Sequence, residues 1–274
     1  MKFLRYITSL VLLFPLTVIA AAWLQPKGES LVIGNTQYYD SCHYWDKQGQ
    51  LKKGPCFKQF AVSPYYEYGF LERLTLILNP TLNSFSQSNQ SVPFNFENFF
   101  IGARYALWKK DWDTLSIQLV ENVPIRRSQF GNPATPTAVY AIINRLSYLD
   151  ARILYGTGGT FDKENYNTWY ADAELAYQPN FSGGADETRI NFMLGWKTQN
   201  GRLVFELQEL NAITSNNPSS FNKPNYNLCT AIADVIYWYK PNIAAFQLGL
   251  QQDFYGTNIG MGTAPFLALW WRFN

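Results

Sequence analysis

The sequence predicts an all-β fold: an antiparallel, up-and-down transmembrane β-barrel of about twelve strands behind a cleavable signal peptide. Three observations predict it. Of 274 residues, 47% are hydrophobic and 15% charged, yet mean hydropathy is −0.19. Apolar residues therefore alternate with uncharged polar ones instead of forming the ~20-residue apolar runs of membrane helices. Period-two alternation recurs along the whole chain, as in strands with one apolar and one polar face. The links between alternating segments come in two kinds, tight turns on one side and longer loops on the other, which is how outer-membrane barrels connect their strands.

In chain order, the first element is a leader. Residues 1–22, MKFLRYITSLVLLFPLTVIAAA, carry Lys2 and Arg5, an apolar run from Ile7 to Ala20, and the small residues Ala20-Ala21-Ala22. This is the pattern of a secretory signal peptide, with the cut expected after Ala22 and 23–274 left as the barrel domain. The formal charge of +2 belongs to Lys2 and Arg5, so the remainder is neutral. Nucleic acid, which needs a surplus of Lys and Arg on one face, is excluded as a partner.

Strands are expected near 29–42, 55–68, 72–80, 96–109, 113–124, 144–157, 166–178, 187–198, 202–212, 226–240, 242–255 and 265–274. In 72–80, Leu74, Leu76 and Leu78 share a face; in 187–198, Ile190, Phe192, Leu194 and Trp196 do. Leu203, Phe205 and Leu207 repeat the pattern, as do Phe246, Leu248 and Leu250. Tight turns are expected at Gly69-Phe70-Leu71, Lys110-Asp111-Trp112, Gln199-Asn200-Gly201 and Pro241, with 158–165 as a longer member of that set. Long loops are expected near 43–54, 81–95, 125–143, 179–186, 213–225 and 256–264.

Aromatics gather near the tight turns: Tyr65, Tyr66 and Tyr68; Trp108 and Trp112; Tyr237, Trp238 and Tyr239; Trp270, Trp271 and Phe273. Such rings collect at bilayer interfaces, with core packing as the alternative role. The last strand keeps Leu267, Leu269, Trp271 and Phe273 on one face and resembles the C-terminal signal read by the barrel-assembly machinery, apart from its final Asn274.

Tyr65-Tyr66-Glu67-Tyr68-Gly69-Phe70-Leu71-Glu72-Arg73-Leu74-Thr75-Leu76, Ile101-Gly102-Ala103-Arg104-Tyr105, Leu149-Asp150-Ala151-Arg152 and Ala173-Glu174-Leu175-Ala176-Tyr177 together resemble the outer-membrane barrels grouped with phenol meta-cleavage pathways. They are also similar to XagA-like barrels associated with surface polysaccharide and adhesion. At the first turn, Phe70-Leu71-Glu72 departs from the Leu-Thr-Asp common there. The resemblance implies passage of small hydrophobic or aromatic compounds and carries no catalytic residue.

Continuing the alternation puts Arg104, Asp150, Arg152, Asp172, Glu174, Arg189, Glu206, Asp234 and Asp253 opposite the apolar face, lining the channel. On the lipid face the basic ones would cost ~2–4 kcal/mol each at the midplane. A turn near 161–162 would set Arg152 across from Asp172 and Asp150 across from Glu174. These charges either line a watery passage or pair off to fill a narrow barrel.

Cys42 and Cys56 are symmetric about Gly49 in CHYWDKQGQLKKGPC, so a hairpin turning there sets them opposite each other and predicts a disulfide, with free thiols as the alternative. Cys229 has no obvious partner. One His and three Met leave little for a metal or redox enzyme, and neither metal nor cofactor is expected. A Ser-His hydrolase would have to use His43 with Ser41 and Asp40 or Asp46, on sequence proximity alone. Gly156-Thr157-Gly158-Gly159-Thr160 lacks the Lys of a phosphate loop and reads as a turn.

The sequence thus points to a non-enzymatic passive channel for small solutes in the outer membrane of a Gram-negative bacterium, in contact with its lipid. The alternative is a surface or structural barrel whose Asn- and Ser-rich loops at 81–95 and 213–225 bind polysaccharide or mediate adhesion.

Overall fold

A computed structural model describes residues 22–87, 90–125, 147–162, 167–181, 185–198, 201–215 and 225–274. The strands are β1 (Ser30–Trp45), β2 (Leu51–Leu71), β3 (Leu74–Gln87), β4 (Gln90–Lys110), β5 (Asp113–Pro124), β6 (Tyr148–Asp162), β7 (Asn167–Gln178), β8 (Asp186–Thr198), β9 (Leu203–Ser215), β10 (Asn227–Lys240), β11 (Ala244–Thr257) and β12 (Ile259–Phe273). Each pairs antiparallel with its neighbours in sequence, and β1 closes on β12. Closure removes the unpaired strand edges that a bilayer cannot satisfy.

The alternation explains why these segments form a barrel with lipid outside. Ile190, Phe192, Leu194 and Trp196 point outward, as do Leu76, Phe205, Leu207, Phe246, Leu248 and Leu250. Moving a large apolar side chain from water into hydrocarbon contributes ~1.5–3 kcal/mol, and a one-residue slip would turn each such row inward. The inner face is mostly polar and buried, but it also holds an apolar cluster that includes Ile33, Val204, Ile236, Trp238 and Trp270.

The strands outrun the sequence expectation at the loop end. β2 and β4 are 21 residues long, whereas a tilted strand crosses the bilayer in ~9–11. The excess forms ladders standing above the membrane. There polar residues such as those of Asn83–Ser91 dominate and read as loop, although Val92, Phe94 and Phe96 in β4 do alternate. The expected loops at 43–54, 81–95 and 256–264 are accordingly mostly strand: β1 ends at Trp45 and β2 begins at Leu51, β3 ends at Gln87 and β4 begins at Gln90, and β11 and β12 are separated by Asn258 alone. Most of the expected loops at 125–143 and 213–225 lies outside the described residues.

At the opposite end, which carries both strand termini Ser30 and Phe273, three of the expected tight turns are present, while residues 163–165 and 199–200 of the other two lie outside the described residues. The first falls at Glu72-Arg73, just beyond Gly69-Phe70-Leu71. Asp111 and Asn242 take left-handed backbone conformations in their turns (φ 49° and 59°), which Asp and Asn tolerate because their short side chains bond locally.

The expected turn at Gly156–Thr160 is instead part of β6. Its glycines make room for Trp169 on β7: a Cβ on Gly158 would lie 2.8 Å from the Trp169 carbonyl oxygen, and one on Gly159 2.9 Å from Trp169 Nε1. The β6–β7 register also differs from the expected one. Arg152 faces Ala176, Leu154 faces Glu174 and Gly156 faces Asp172, which corrects the expected Arg152–Asp172 and Asp150–Glu174 pairs.

The aromatic expectation is also corrected in part. Tyr66, Tyr68, Trp108, Tyr237, Tyr239, Trp271 and Phe273 are on the outer face, but Tyr65, Trp238 and Trp270 are buried inside. Consecutive strand residues cannot share a face, so a run of adjacent aromatics must split.

Candidate functional site

Each of the nine sequence-predicted charges sits on the barrel's inner face, in two unlike groups. The first follows the wall from β2 to β8, where Arg104, Arg152 and Arg189 are each held by a carboxylate. Arg104 is 1% exposed. It bridges to Glu67 Oε1 at 3.0 Å, donates from Nε to Gln118 Oε1 at 3.0 Å, and donates from Nη1 to the Trp23 carbonyl at 2.8 Å. Glu67 also accepts a hydrogen bond from Tyr65.

Arg152 forks onto Asp150, with Nε to Oδ1 at 2.8 Å and Nη2 to Oδ2 at 2.7 Å, and its Nη1 reaches Glu174 Oε2 at 3.0 Å. Arg189 pairs with Glu187 and donates to Gln178 Oε1 at 3.0 Å; Gln178 in turn donates to Asp150. Planar guanidinium forks on carboxylates make rigid, directional contacts, so this wall is a fixed lattice.

The second group has no arginine partner. Asp253 is served by neutral donors: Tyr39 OH at 2.9 Å, Thr230 Oγ1 at 2.7 Å and the Gly262 amide at 3.2 Å. Glu206 and Asp234 are directly opposed on β9 and β10. Tyr170 donates to Glu206 Oε1, while Glu206 Oε2 and both Asp234 oxygens accept no hydrogen bond of normal length.

A feature that sequence reasoning missed lies between the two groups. Ala22–Glu29 runs up inside the barrel from the turn end. The Ala22 nitrogen donates to Asp172 Oδ2 at 2.7 Å, and its carbonyl accepts from Ser116 Oγ at 2.7 Å. Gln25 donates from its backbone to Thr75 Oγ1 at 3.0 Å and from Nε2 to Glu67 Oε2 at 2.6 Å. Gly28 and Glu29 exchange backbone bonds with Gly69.

Ala22 is fully buried in a socket opened by a missing side chain, since a Cβ on Gly156 would lie 2.9 Å from the Ala22 Cβ. The segment has no period-two pattern because it is not a strand of the wall, which is why alternation could not reveal it. Glu67 and Glu187 were also missed, although their inward positions in alternating strands were available as a signal.

The Cys42–Cys56 disulfide is present, with Cα atoms 4.0 Å apart; it staples the β1–β2 hairpin. Cys229 is free, and its Sγ lies 3.6 Å from Glu209 Oε1. The Ser41 hydroxyl is directed to the His43 backbone carbonyl, not its imidazole, so the Ser-His arrangement of a hydrolase is not formed here.

No protein-family model matches the chain, and no curated protein does. Among solved structures, the chain is similar to an outer membrane channel from Pseudomonas putida F1, with 10% identity over 95% of this chain and 100% of that one and a TM-score of 0.67. It is also similar to the NanC porin, at 8% identity over 88% and 98% of the two chains, with a TM-score of 0.51. At such identities the likeness is one of fold, and the chain is a closed, twelve-stranded transmembrane β-barrel of the kind that these outer-membrane proteins adopt.

Proposed function

We propose that the protein is a passive outer-membrane channel for small solutes in a Gram-negative bacterium, and not an enzyme. The observation that carries this reading is the two-sided inner wall: a fixed arginine–carboxylate lattice on one side, and carboxylates without basic partners on the other. A barrel that served only as a scaffold would gain nothing from leaving buried carboxylates unmatched, since that costs stability. The fold likeness to an outer membrane channel supports the same reading.

Hydrophobic or aromatic solutes are supported by the apolar part of the inner wall, Ile33, Val204, Ile236, Trp238 and Trp270, and by the resemblance to barrels grouped with phenol meta-cleavage. Signal-peptide removal and insertion by the barrel-assembly machinery belong to this reading. The buried socket around Ala22 supports a cut one position earlier than the leader pattern predicts, before Ala22 and not after it, which would leave its ammonium group on Asp172.

Purified protein in planar bilayers is expected to give discrete conductance steps, and their complete absence refutes the channel. The segment inside the lumen favours a second reading, a plugged surface barrel that contacts polysaccharide. Loss of adhesion or matrix on deletion of the protein, with no conductance in vitro, would support it.

A further inference from the structure

Glu206 and Asp234 lie within a continuous cross-strand row on the inner wall. Tyr170 pairs with Gly195, Gly195 with Glu206, Glu206 with Asp234, Asp234 with Gly249, and Gly249 with Phe266. The two glycines have a specific use. A Cβ on Gly195 would lie 2.0 Å from the Tyr170 ring, and one on Gly249 would lie 2.2 Å from the Phe266 ring. Each missing side chain lets an aromatic ring lie down along the wall, so two carboxylates are flanked by an aromatic ring on either side.

Like charges directly opposite each other on neighbouring strands repel, and burial strengthens the repulsion. Among the described residues no cation pairs with either acid. Asp234 is 5% exposed, and neither of its oxygens accepts a normal hydrogen bond; its neighbours are the Glu206 carboxyl and the Gln247 amide.

The inward-facing cations on this side, Lys197 and Arg272, lie closer to the turn end, and the Arg272 guanidinium is stacked 5.0 Å from the Trp238 ring. The hydrogen bonds of the Ala22–Glu29 segment go to β2, β3, β4, β5, β7 and the β4–β5 turn. The wall from β8 to β12, which carries the unmatched acids, receives no hydrogen bond from this segment, although Trp23 packs edge-on against Tyr170 with ring centroids 5.9 Å apart.

We propose that this row is a binding site for organic ammonium ions and makes the channel cation-selective. Carboxylates supply the counter-charge, and ring faces attract a cation through their quadrupoles, the combination by which aromatic cages hold quaternary ammonium groups. The inference rests on the channel reading and adds a cationic solute class to the hydrophobic and aromatic ones.

The test uses the full mature protein in a planar bilayer under a KCl gradient, with choline as probe and 3,3-dimethyl-1-butanol as its uncharged isostere. The expected result is a reversal potential on the potassium side and interruption of the current by choline but not by the alcohol. The isosteric E206Q/D234N variant should lose the cation preference and require roughly tenfold more choline or above; F266L, which keeps the charges, should retain the preference and still require roughly tenfold more choline.

An anion preference in the wild type, equal action of the alcohol, or variants identical to wild type would overturn the site while leaving the channel standing. A complete lack of conductance refutes the channel, and the site is then decided by saturation-transfer NMR of choline on detergent-solubilised protein. Signal lost in E206Q/D234N upholds it, and absence of signal in the wild type overturns it.

Discussion

Gly69 is where the lumen segment can be dislodged by a single methyl group. A Cβ added there would lie 1.9 Å from the Pro26 carbonyl oxygen and 2.7 Å from that of Gln25. Ordinary contact begins near 3.4 Å, so in Gly69→Ala the segment must retreat by about 1.5 Å, the difference between the first of these distances and 3.4 Å. That retreat breaks the bonds from Gly28 N to Gly69 O (2.7 Å) and from Gly69 N to Glu29 O (2.9 Å). At ~0.5–1.5 kcal/mol net per bond, about 1–3 kcal/mol of the segment's anchoring is lost. The displaced population then rises ~5–150-fold.

Single-channel recording should show a larger conductance level occupied correspondingly more often. Gly34→Ala is the control, because a Cβ there meets nothing within 4 Å, and it should behave as wild type. If Gly69→Ala matches the control in both conductance and dwell times, the segment is not what narrows the lumen.

Three further outcomes follow from named contacts. Arg104→Gln strands Glu67 in the buried pair they form and should cost about 3–5 kcal/mol, measured by thermal unfolding in detergent; E67Q/R104Q should recover most of that loss, and no recovery refutes the pairing. In the β1–β2 link, the hydrogen bond from Lys52 holds the Asp46 carboxyl below its ordinary value. Because the folded pKa is depressed, this bond's contribution to loop order is present above the unfolded carboxyl value and disappears as pH falls through the folded one. A carboxyl NMR titration should therefore show the Asp46 midpoint rising in Lys52→Gln, and equal midpoints would remove Lys52 as the cause. Intact mass of protein extracted from membranes should correspond to 22–274, and a product lighter by one alanine residue would exclude the Ala22–Asp172 terminal pair.

Alternation made the wall legible. Arg104, Asp150, Arg152, Asp172, Glu174, Arg189, Glu206, Asp234 and Asp253 were placed inside because Leu, Ile, Phe and Trp hold the other face of the same strands, and a one-residue slip is costly. The symmetry of Cys42 and Cys56 about Gly49 was legible for a similar reason, since a hairpin maps sequence distance onto register. At the loop end the same signal weakened among Asn, Ser and Gln residues, and β2, β3, β4 and β12 were read too short, even though Val92, Phe94 and Phe96 alternate in β4.

Sequence by itself determined which side chains face lipid and which face the lumen, because a strand's period is fixed by its backbone and the bilayer admits only one face. Tertiary structure alone decided which lumen charges meet. Arg152 forks onto Asp150 two residues before it on β6 and reaches Glu174 on β7 through a β6–β7 register that pairs Leu154 with Glu174. The row from Tyr170 to Phe266 assembles residues from six strands. Ala22 reaches Asp172, 150 positions away in the chain. Barrel closure and the filling of its interior depend on distances between strands, and a pattern confined to neighbours along one strand does not encode them.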